Sequence, residues 1–138
     1  MPLGLRKAVL LIATAIACNS STEPGADGQY LLESVNDRAL PTSLDQDVTV
    51  TSGSLTFNDD GTALLVFRLR NDQPFSAYTS SHVWYYTRNG TDVHLLSSAS
   101  CPTIMSCDEL NGSIDGSTLI LGSNSQTPTL LRYRENVF

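Results

Sequence analysis

Apolar and polar positions alternate over short runs in the chain beyond residue 28, and these runs are rich in Val, Thr, Leu, Tyr and Phe. None of them keeps the 3.6-residue period of an amphipathic helix. In one run Leu65, Phe67 and Leu69 fall on one face of a strand. Arg68, which stands between them, falls on the opposite face. The pattern predicts short β-strands and no helix.

Turns that contain Asn-Gly or Asp-Gly separate several of these runs. The three clearest are Asn58–Gly61, Arg88–Thr91 and Asp115–Gly116. Both dipeptides supply the positive φ angles that tight hairpins require, so each turn predicts a hairpin. The strands predicted from the turns and the alternation are Tyr30–Val35, Val48–Thr51, Ser54–Phe57, Thr62–Arg70, Val83–Thr87, Asp92–Leu96, Asn111–Ile114, Thr118–Leu121 and Thr129–Arg134.

Consecutive hairpins make an antiparallel meander, and a sheet of about eight strands must bury its apolar face. It does so by closing into a barrel or by folding over into a sandwich. We expect an all-β barrel or half-barrel. The stretch Ala63–Phe67 is apolar on both faces, which indicates either a strand covered on its outer side or a surface that binds something. Of these two, we expect cover.

The N-terminus has the order of an export signal. Arg6 and Lys7 precede an apolar run of ten residues from Ala8 to Ala17, and Cys18 follows the run. Spanning a bilayer as a helix takes about 20 residues, so the run is too short for a retained transmembrane anchor. Residues 1–17 are therefore predicted to be a cleaved signal segment.

The cleavage site Ala15–Cys18 resembles that of bacterial lipoproteins, in which the cysteine is lipidated on its sulfur and becomes the mature N-terminus. The alternative is an ordinary A-x-A site at Ala15–Ala17, which would release a soluble protein with a free thiol at Cys18. We expect lipidation, because an exposed free thiol is a liability in an oxidising compartment. Residues 18–28 are polar and carry Pro and Gly, which is typical of a flexible tether. The predicted location is the bacterial cell envelope, at the outer membrane or the periplasmic face.

Charge and cysteine content limit the classes of function. Without Arg6 and Lys7, six of the eight basic residues remain against 14 acidic ones, so the mature domain repels phosphate backbones and nucleic acid is an unfavourable partner. Cys101 and Cys107 are left as an even pair, which outside the cytoplasm predicts a disulfide. A redox or metal pair is the alternative, but redox motifs favour C-x-x-C spacing and no second ligand pair accompanies these two.

Three segments of the chain resemble a known family. Gly28–Pro41 contains Ser-Val-Asn-Asp-Arg-Ala-Leu-Pro, Gly53–Thr62 reads Gly-Ser-Leu-Thr-Phe-Asn-Asp-Asp-Gly-Thr, and Leu110–Leu119 reads Leu-Asn-Gly-Ser-Ile-Asp-Gly-Ser-Thr-Leu. They resemble the opening strand and turn, a hairpin and the closing hairpin of small bacterial lipocalin-like lipoproteins. Asp37 stands where that family has glycine. The resemblance implies a lipocalin-like barrel or half-barrel over residues 29–138, and it implies no defined activity.

An eight-stranded barrel encloses either packed side chains or one small ligand. The aromatic residues Tyr78, Trp84 and Tyr86 are candidates for an apolar ligand pocket, and ordinary core is their alternative role. His82 and His94 are the two histidines of the chain, and Asp92 shares a face with His94, which could orient the imidazole. Neither histidine has a third ligand or an activated nucleophile nearby in the sequence. We expect no enzyme, no catalytic residue, no metal and no cofactor.

The function predicted from the sequence is that of an envelope lipoprotein whose β-domain binds a small apolar molecule. The partners would then be the membrane, through the lipid on Cys18, and that ligand. The alternative is a protein-interaction module without a ligand cavity, such as an inhibitor or an assembly partner. It would present its acidic rim and the loop between Cys101 and Cys107.

Overall fold

The computed structural model describes residues 28–101, 107–124 and 128–137. Within these ranges the chain forms ten β-strands and no helix. The predicted signal segment, Cys18 and all of the predicted tether except Gly28 lie outside the described residues. The strands are β1 (Gln29–Val35), β2 (Arg38–Ala39), β3 (Thr42–Ser43), β4 (Val48–Phe57), β5 (Thr62–Asp72), β6 (Phe75–Asn89), β7 (Asp92–Leu96), β8 (Glu109–Asp115), β9 (Thr118–Ser123) and β10 (Leu130–Glu135).

The eight longer strands form a closed antiparallel barrel. Neighbouring strands pair in the order β1-β10-β9-β8-β7-β6-β5-β4, and β4 pairs again with β1. This confirms the predicted fold class and selects the closed barrel over the half-barrel. Two strand predictions were wrong. Val83–Thr87 is only the last part of β6, which begins at Phe75. Val48–Thr51 and Ser54–Phe57 belong to a single strand, β4, whose register against β5 shifts between Val50 and Ser52. A bulge of this kind bends a strand without ending it.

The three predicted hairpin turns form because their glycines adopt positive φ. The angles are +83° at Gly61, +62° at Gly90 and +58° at Gly116. The turn between β1 and β2 uses Asn36 and Asp37 instead, with φ of 51° and 61°. Asn and Asp are the side chains that best tolerate this left-handed region, so the turn forms without glycine.

The core is the interior of the barrel. It is filled by inward-facing residues of the long strands other than β6, and the half-buried Trp84 and Tyr86 of β6 pack against it. Alternation along each strand produces it: in β7, for example, Val93 and Leu95 are buried and the residues between and beside them are not. The buried apolar residues are Tyr30, Leu32, Val35, Val50, Leu55, Phe57, Ala63, Leu65, Val93, Leu95, Leu110, Ile114, Leu119, Leu121, Leu131 and Tyr133.

The two ends of the barrel differ in their connections. At one end lie the tight hairpin turns β4–β5, β6–β7 and β8–β9, and we call it the closed end. At the other lie the β5–β6 turn, the β1–β4 segment and the longer β7–β8 and β9–β10 connections, and we call it the open end. The strand β7 lies between β6 and β8 and has only 5 residues, whereas β6 has 15. β7 therefore stops well before β6 does on the side towards the open end.

The seam between β1 and β4 opens towards the open end. The two strands pair only at Gln29–Thr56, Tyr30–Leu55 and Leu31–Ser54. Beyond these pairs β1 carries the short β2, and β4 carries the short β3. Gly53 lies where they part, and a side-chain carbon there would stand only 3.0 Å from Leu32 Cδ2. Because glycine has no side chain, β4 can cross close over β1 at this position.

The outer face of β5 is open to solvent, contrary to the expected cover. Leu64 is an exposed apolar residue, and Val66 is half-buried. Leu64 pairs with Val83 on the neighbouring strand β6, and the side chain of Val83 is also exposed. The two-sided apolar pattern of Ala63–Phe67 therefore reflects a core face and an exposed apolar face. Among the described residues no helix has the length and apolar character required to cross a membrane.

Candidate apolar cavity at the open end

A cavity of about 540 Å³ occupies the open end of the barrel. Its volume falls within the range of about 300–1,000 Å³ that is typical of small-molecule sites. Its wall is mostly aliphatic and aromatic, and its polar residues come from the β7–β8 and β9–β10 connections and their flanks. The lining residues are Val35, Leu44, Val50, Leu65, Phe67, Leu69, Trp84, Cys107, Asp108, Glu109, Leu110, Ser123, Asn124, Thr129 and Leu131.

The longest side of the cavity is built by β5, because its inward residues continue beyond the packed core. Leu65 is buried in the core, whereas Phe67 and Leu69 are half-buried and pack against the core on the side of the open end. Trp84 on β6 lies opposite Ala63, a fully buried small residue that leaves room beside it for the indole. The indole Nε1 is buried and has no hydrogen-bond partner in the described part of the chain.

The disulfide and its flanking residues form part of the rim. Cys101 and Cys107 are joined through their sulfur atoms, which confirms the predicted pairing. The Ser97 N–H donates to the Asp108 carbonyl at 3.0 Å, and the Asp108 N–H donates to Ser97 Oγ at 2.9 Å. These bonds hold the start and end of the β7–β8 connection together, so Cys107 and Asp108 are fixed beside the opening.

Carboxylates stand at this rim. Glu109 accepts a hydrogen bond from the Asn111 amide at 3.0 Å and lies 2.6 Å from His94 Nε2. The Asn111 hydrogen bond, and after it the one from His94, hold the pKa of the Glu109 carboxyl below its usual value. Glu109 is therefore ionised at neutral pH. Among the described residues, no Lys or Arg belongs to the cavity lining.

The predicted pocket residues divide between different places. Trp84 lines the cavity. Tyr86 packs against the core near the closed end, where its hydroxyl donates to the Asn58 carbonyl at 3.0 Å. Tyr78 is exposed and lies beside Leu69 in a separate surface depression on the β5–β6 hairpin. The structure therefore places one of the three residues in the cavity.

The floor of the cavity is the packed closed end. The Phe57 ring meets Tyr86 edge-on at a centroid distance of 4.8 Å and meets Tyr30 at 5.9 Å. Tyr30 and Tyr133 are completely buried, and in the described residues neither hydroxyl has a hydrogen-bond partner. Burial raises the pKa of both phenols, and the Glu135 charge adds to the effect at Tyr30.

No family model, curated protein or solved structure matches this chain. The candidate site is therefore defined by its own geometry. Its described residues include no group of three His, Cys, Asp or Glu side chains that could hold a metal ion. The geometry is that of an apolar cavity with an acidic rim. The cavity wall offers apolar contact area, and the carboxylates of the rim supply negative charge.

The histidines lie outside the cavity lining and far from each other in the strand register. His82 pairs with Leu65 in the part of β6 beyond β7, and its Nε2 lies 3.3 Å from Ser80 Oγ. His94 pairs with Thr87 and contacts Glu109 rather than Asp92. The sequence pattern did not indicate the contact between Glu109 and His94. The pairing of β7 with β8 brings the two residues together, and the residue spacing along the chain does not define the connection between these strands.

Proposed function

We propose that this protein is an exported, lipid-anchored envelope protein of the lipocalin-like type, whose barrel binds a small apolar molecule. The observation that carries the proposal is the cavity at the open end, with Leu65, Phe67, Leu69 and Trp84 on its wall. Burying an apolar ligand there removes both surfaces from water, which is worth about 25 cal/mol for each Å² buried.

The ligand is uncharged rather than anionic. Asp108 and Glu109 line the opening, and none of the lining residues that the structure describes is basic. A fatty-acid carboxylate would meet two negative side chains in a partly desolvated site whose described lining holds no cation to pair with. A neutral apolar molecule carries no such cost. The proposed ligand class is therefore a small neutral hydrophobic compound.

Displacement of a fluorescent hydrophobe from the purified protein tests the cavity. Phe67→Ala removes a ring from the wall and should weaken binding roughly tenfold or more, since burying a phenylalanine side chain contributes about 1.5–3 kcal/mol. Leu64→Ala is the matched control: it shortens an exposed side chain on the outer face of the same strand and should leave binding unchanged.

The neutral-ligand proposal has its own measurement. A long-chain alcohol and the fatty acid of equal length compete for the same probe, and the alcohol should compete more strongly at neutral pH. Asp108→Asn with Glu109→Gln removes the negative rim and should narrow the difference. Equal competition by the two ligands with the original rim would remove the charge argument, and no displacement by either would remove the cavity proposal.

The proposed anchor is tested at Cys18. Metabolic labelling with a fatty-acid analogue should mark the protein, and Cys18→Ala should abolish the label and release the protein from membranes. Mass spectrometry separates this from ordinary signal cleavage, which would leave an unmodified thiol on a soluble chain. Recovery of that thiol form alone would contradict the anchor.

The alternative proposal is an interaction module of the envelope. Its support is the position of the disulfide beside the rim carboxylates Asp108 and Glu109. The middle of that loop, residues 102–106, lies outside the described residues. A pull-down from envelope extract with the loop replaced by a short glycine linker tests it. Loss of a defined partner would support the module, and an unchanged set of partners would count against it.

A further inference from the structure

The first two thirds of β6 form a sheet edge without a neighbour among the described strands. β6 spans Phe75–Asn89, but β7 pairs with it only from Tyr85 to Asn89. From Phe75 to Trp84 the strand pairs with β5 on one side alone. An edge of this length presents a row of unpaired backbone groups, to which another strand can add.

The direction of these backbone groups follows from one hydrogen bond and the register. The Tyr86 N–H donates to the Gly61 carbonyl on the β5 side, and the β5–β6 register contains no shift. Backbone groups alternate in direction along a strand, so even-numbered residues of β6 address β5 and odd-numbered residues address the edge. The residues that present their N–H and C=O at the edge are Phe75, Ala77, Thr79, Ser81 and Val83.

This edge lacks the features that natural sheets use to prevent pairing, which are Lys, inward charges, bulges and prolines. No Asp, Glu, Lys or Arg stands between Asp72 and Arg88, and Pro74 precedes the strand rather than interrupting it. Two of the edge residues are large, apolar and exposed: Phe75 at 76% and Val83 at 53%. The segment has the β-propensity and neutrality of sequences that pair readily.

We propose that a second copy of this chain occupies the edge and forms a two-fold symmetric dimer. The two β6 strands run antiparallel, with Thr79 opposite Thr79 of the second copy. In this register odd-numbered residues face odd-numbered residues, so the edge groups bond to one another. Phe75 of each copy then lies opposite Val83 of the other, which adds an apolar cross-strand pair at both ends.

The charge of the protein favours this occupant over a partner of opposite sign. With 14 acidic residues, the chain would attract a basic partner through its carboxylates, and the edge has none. Two acidic copies meet with least repulsion along a segment where no like charges oppose each other. Leu64 and Tyr85, exposed beside the edge, extend the apolar surface on the same outer face.

Cross-linking through a single introduced cysteine tests the register. With Thr79→Cys, the two Cα atoms across the axis would lie about 5.5 Å apart, within the range that a disulfide spans. Oxidised Thr79→Cys protein should run as a dimer on a non-reducing gel. Ser76→Cys is the matched control, because the same register separates its two copies by about 20 Å. Equal cross-linking of both variants, or of the unmodified chain, would overturn the register.

Proline at the edge tests the dimer itself. Thr79→Pro removes an N–H that points away from β5, so the barrel should keep its circular dichroism spectrum while the dimer dissociates to monomers in sedimentation equilibrium. Thr79→Ser retains the N–H and should remain dimeric. A parent protein that is monomeric at every concentration, or a Thr79→Pro protein that dimerises as strongly as the parent, would overturn the proposal.

Discussion

The closed and open ends of the barrel are built from the same alternating strands, yet one is packed and the other is hollow. At the closed end the Phe57 ring meets Tyr30 and Tyr86 edge-on, and short hairpins join β4 to β5, β6 to β7 and β8 to β9. At the open end Phe67 and Leu69 are half-buried around a cavity, and the wall is completed by a disulfide-linked connection. Stability and binding are therefore expected to reside at opposite ends of one domain.

The difference arises from strand length rather than from residue type. β5 and β6 continue towards the open end past the level where β7 stops, and β1 separates from β4 beyond Leu31 and Ser54. Inward-facing residues beyond that level have fewer strands opposite them, so their side chains do not meet across the barrel. Phe67 and Leu69 follow the same alternation as the fully buried Ala63, but they line a space instead of filling one.

Truncating one phenylalanine to alanine at each end of the barrel gives the largest expected contrast in stability. Phe57→Ala removes a ring that is 4% exposed and should lower the free energy of unfolding by about 3–5 kcal/mol. Phe67→Ala should cost clearly less stability, because its ring is already half-exposed, and should weaken probe binding instead. Urea unfolding monitored by circular dichroism measures the first effect. Equal losses of stability at the two sites would mean that the open end is as well packed as the closed end.

Removing the disulfide should act on the open end with an intermediate effect. Closing the loop from Cys101 to Cys107 restricts the unfolded chain, and loop-closure reasoning gives about 2 kcal/mol for a loop of this size. The double substitution Cys101→Ser and Cys107→Ser should lower stability by that amount and also weaken probe binding, since Cys107 and Asp108 line the cavity.

Reductant provides the control for the disulfide experiment. It should destabilise the parent protein to the level of the double variant and should leave the double variant unchanged. If the double variant lost stability but bound the probe with full affinity, the connection would support the barrel without shaping the cavity. The open-end connection would then contribute to the stability of the whole barrel, and the two ends would be less independent in stability than their contacts indicate.

Much of the fold could be predicted because its determinants are local. Gly61, Gly90 and Gly116 mark hairpins through backbone sterics alone, and the alternation in β7 and β9 identifies the core. The extent of β6 was not predictable in this way. Its first residues, from Phe75 to His82, lack regular alternation, and they are held in the sheet by the register with β5.

The candidate site was less predictable because it depends on how connections close over the sheet. Trp84 was identified as an aromatic on a strand, but nothing in the sequence separates it from Tyr86, two residues later on the same face. Their different roles follow from height in the barrel, which is a tertiary property. Leu44 and Asp108 lie outside the strands, so no periodicity singles them out.

The buried tyrosine hydroxyls of the closed end give the smallest expected contrast in stability at neutral pH, and a larger one only at high pH. Burial raises the pKa of Tyr133 and of Tyr30 in the folded protein, whereas in the unfolded chain a tyrosine ionises near pH 10. Folding then binds the phenol protons that the unfolded state releases. Their contribution is fully present below about pH 10 and is lost at about 1.4 kcal/mol per pH unit for each tyrosine, until the pH reaches the raised folded-state value.

Tyr30→Phe combined with Tyr133→Phe should make the free energy of unfolding less sensitive to pH above about 10, as measured by urea titration at a series of pH values. At neutral pH the double variant should be as stable as the parent or slightly more stable, because each hydroxyl is buried without a partner in the described residues. Tyr78→Phe, at an exposed position on the β5–β6 hairpin, is the control and should leave the profile unchanged. If the double variant instead lost several kcal/mol at neutral pH, the two hydroxyls would be structural hydrogen-bonding groups, and the closed end would owe its stability to a polar network rather than to aromatic packing.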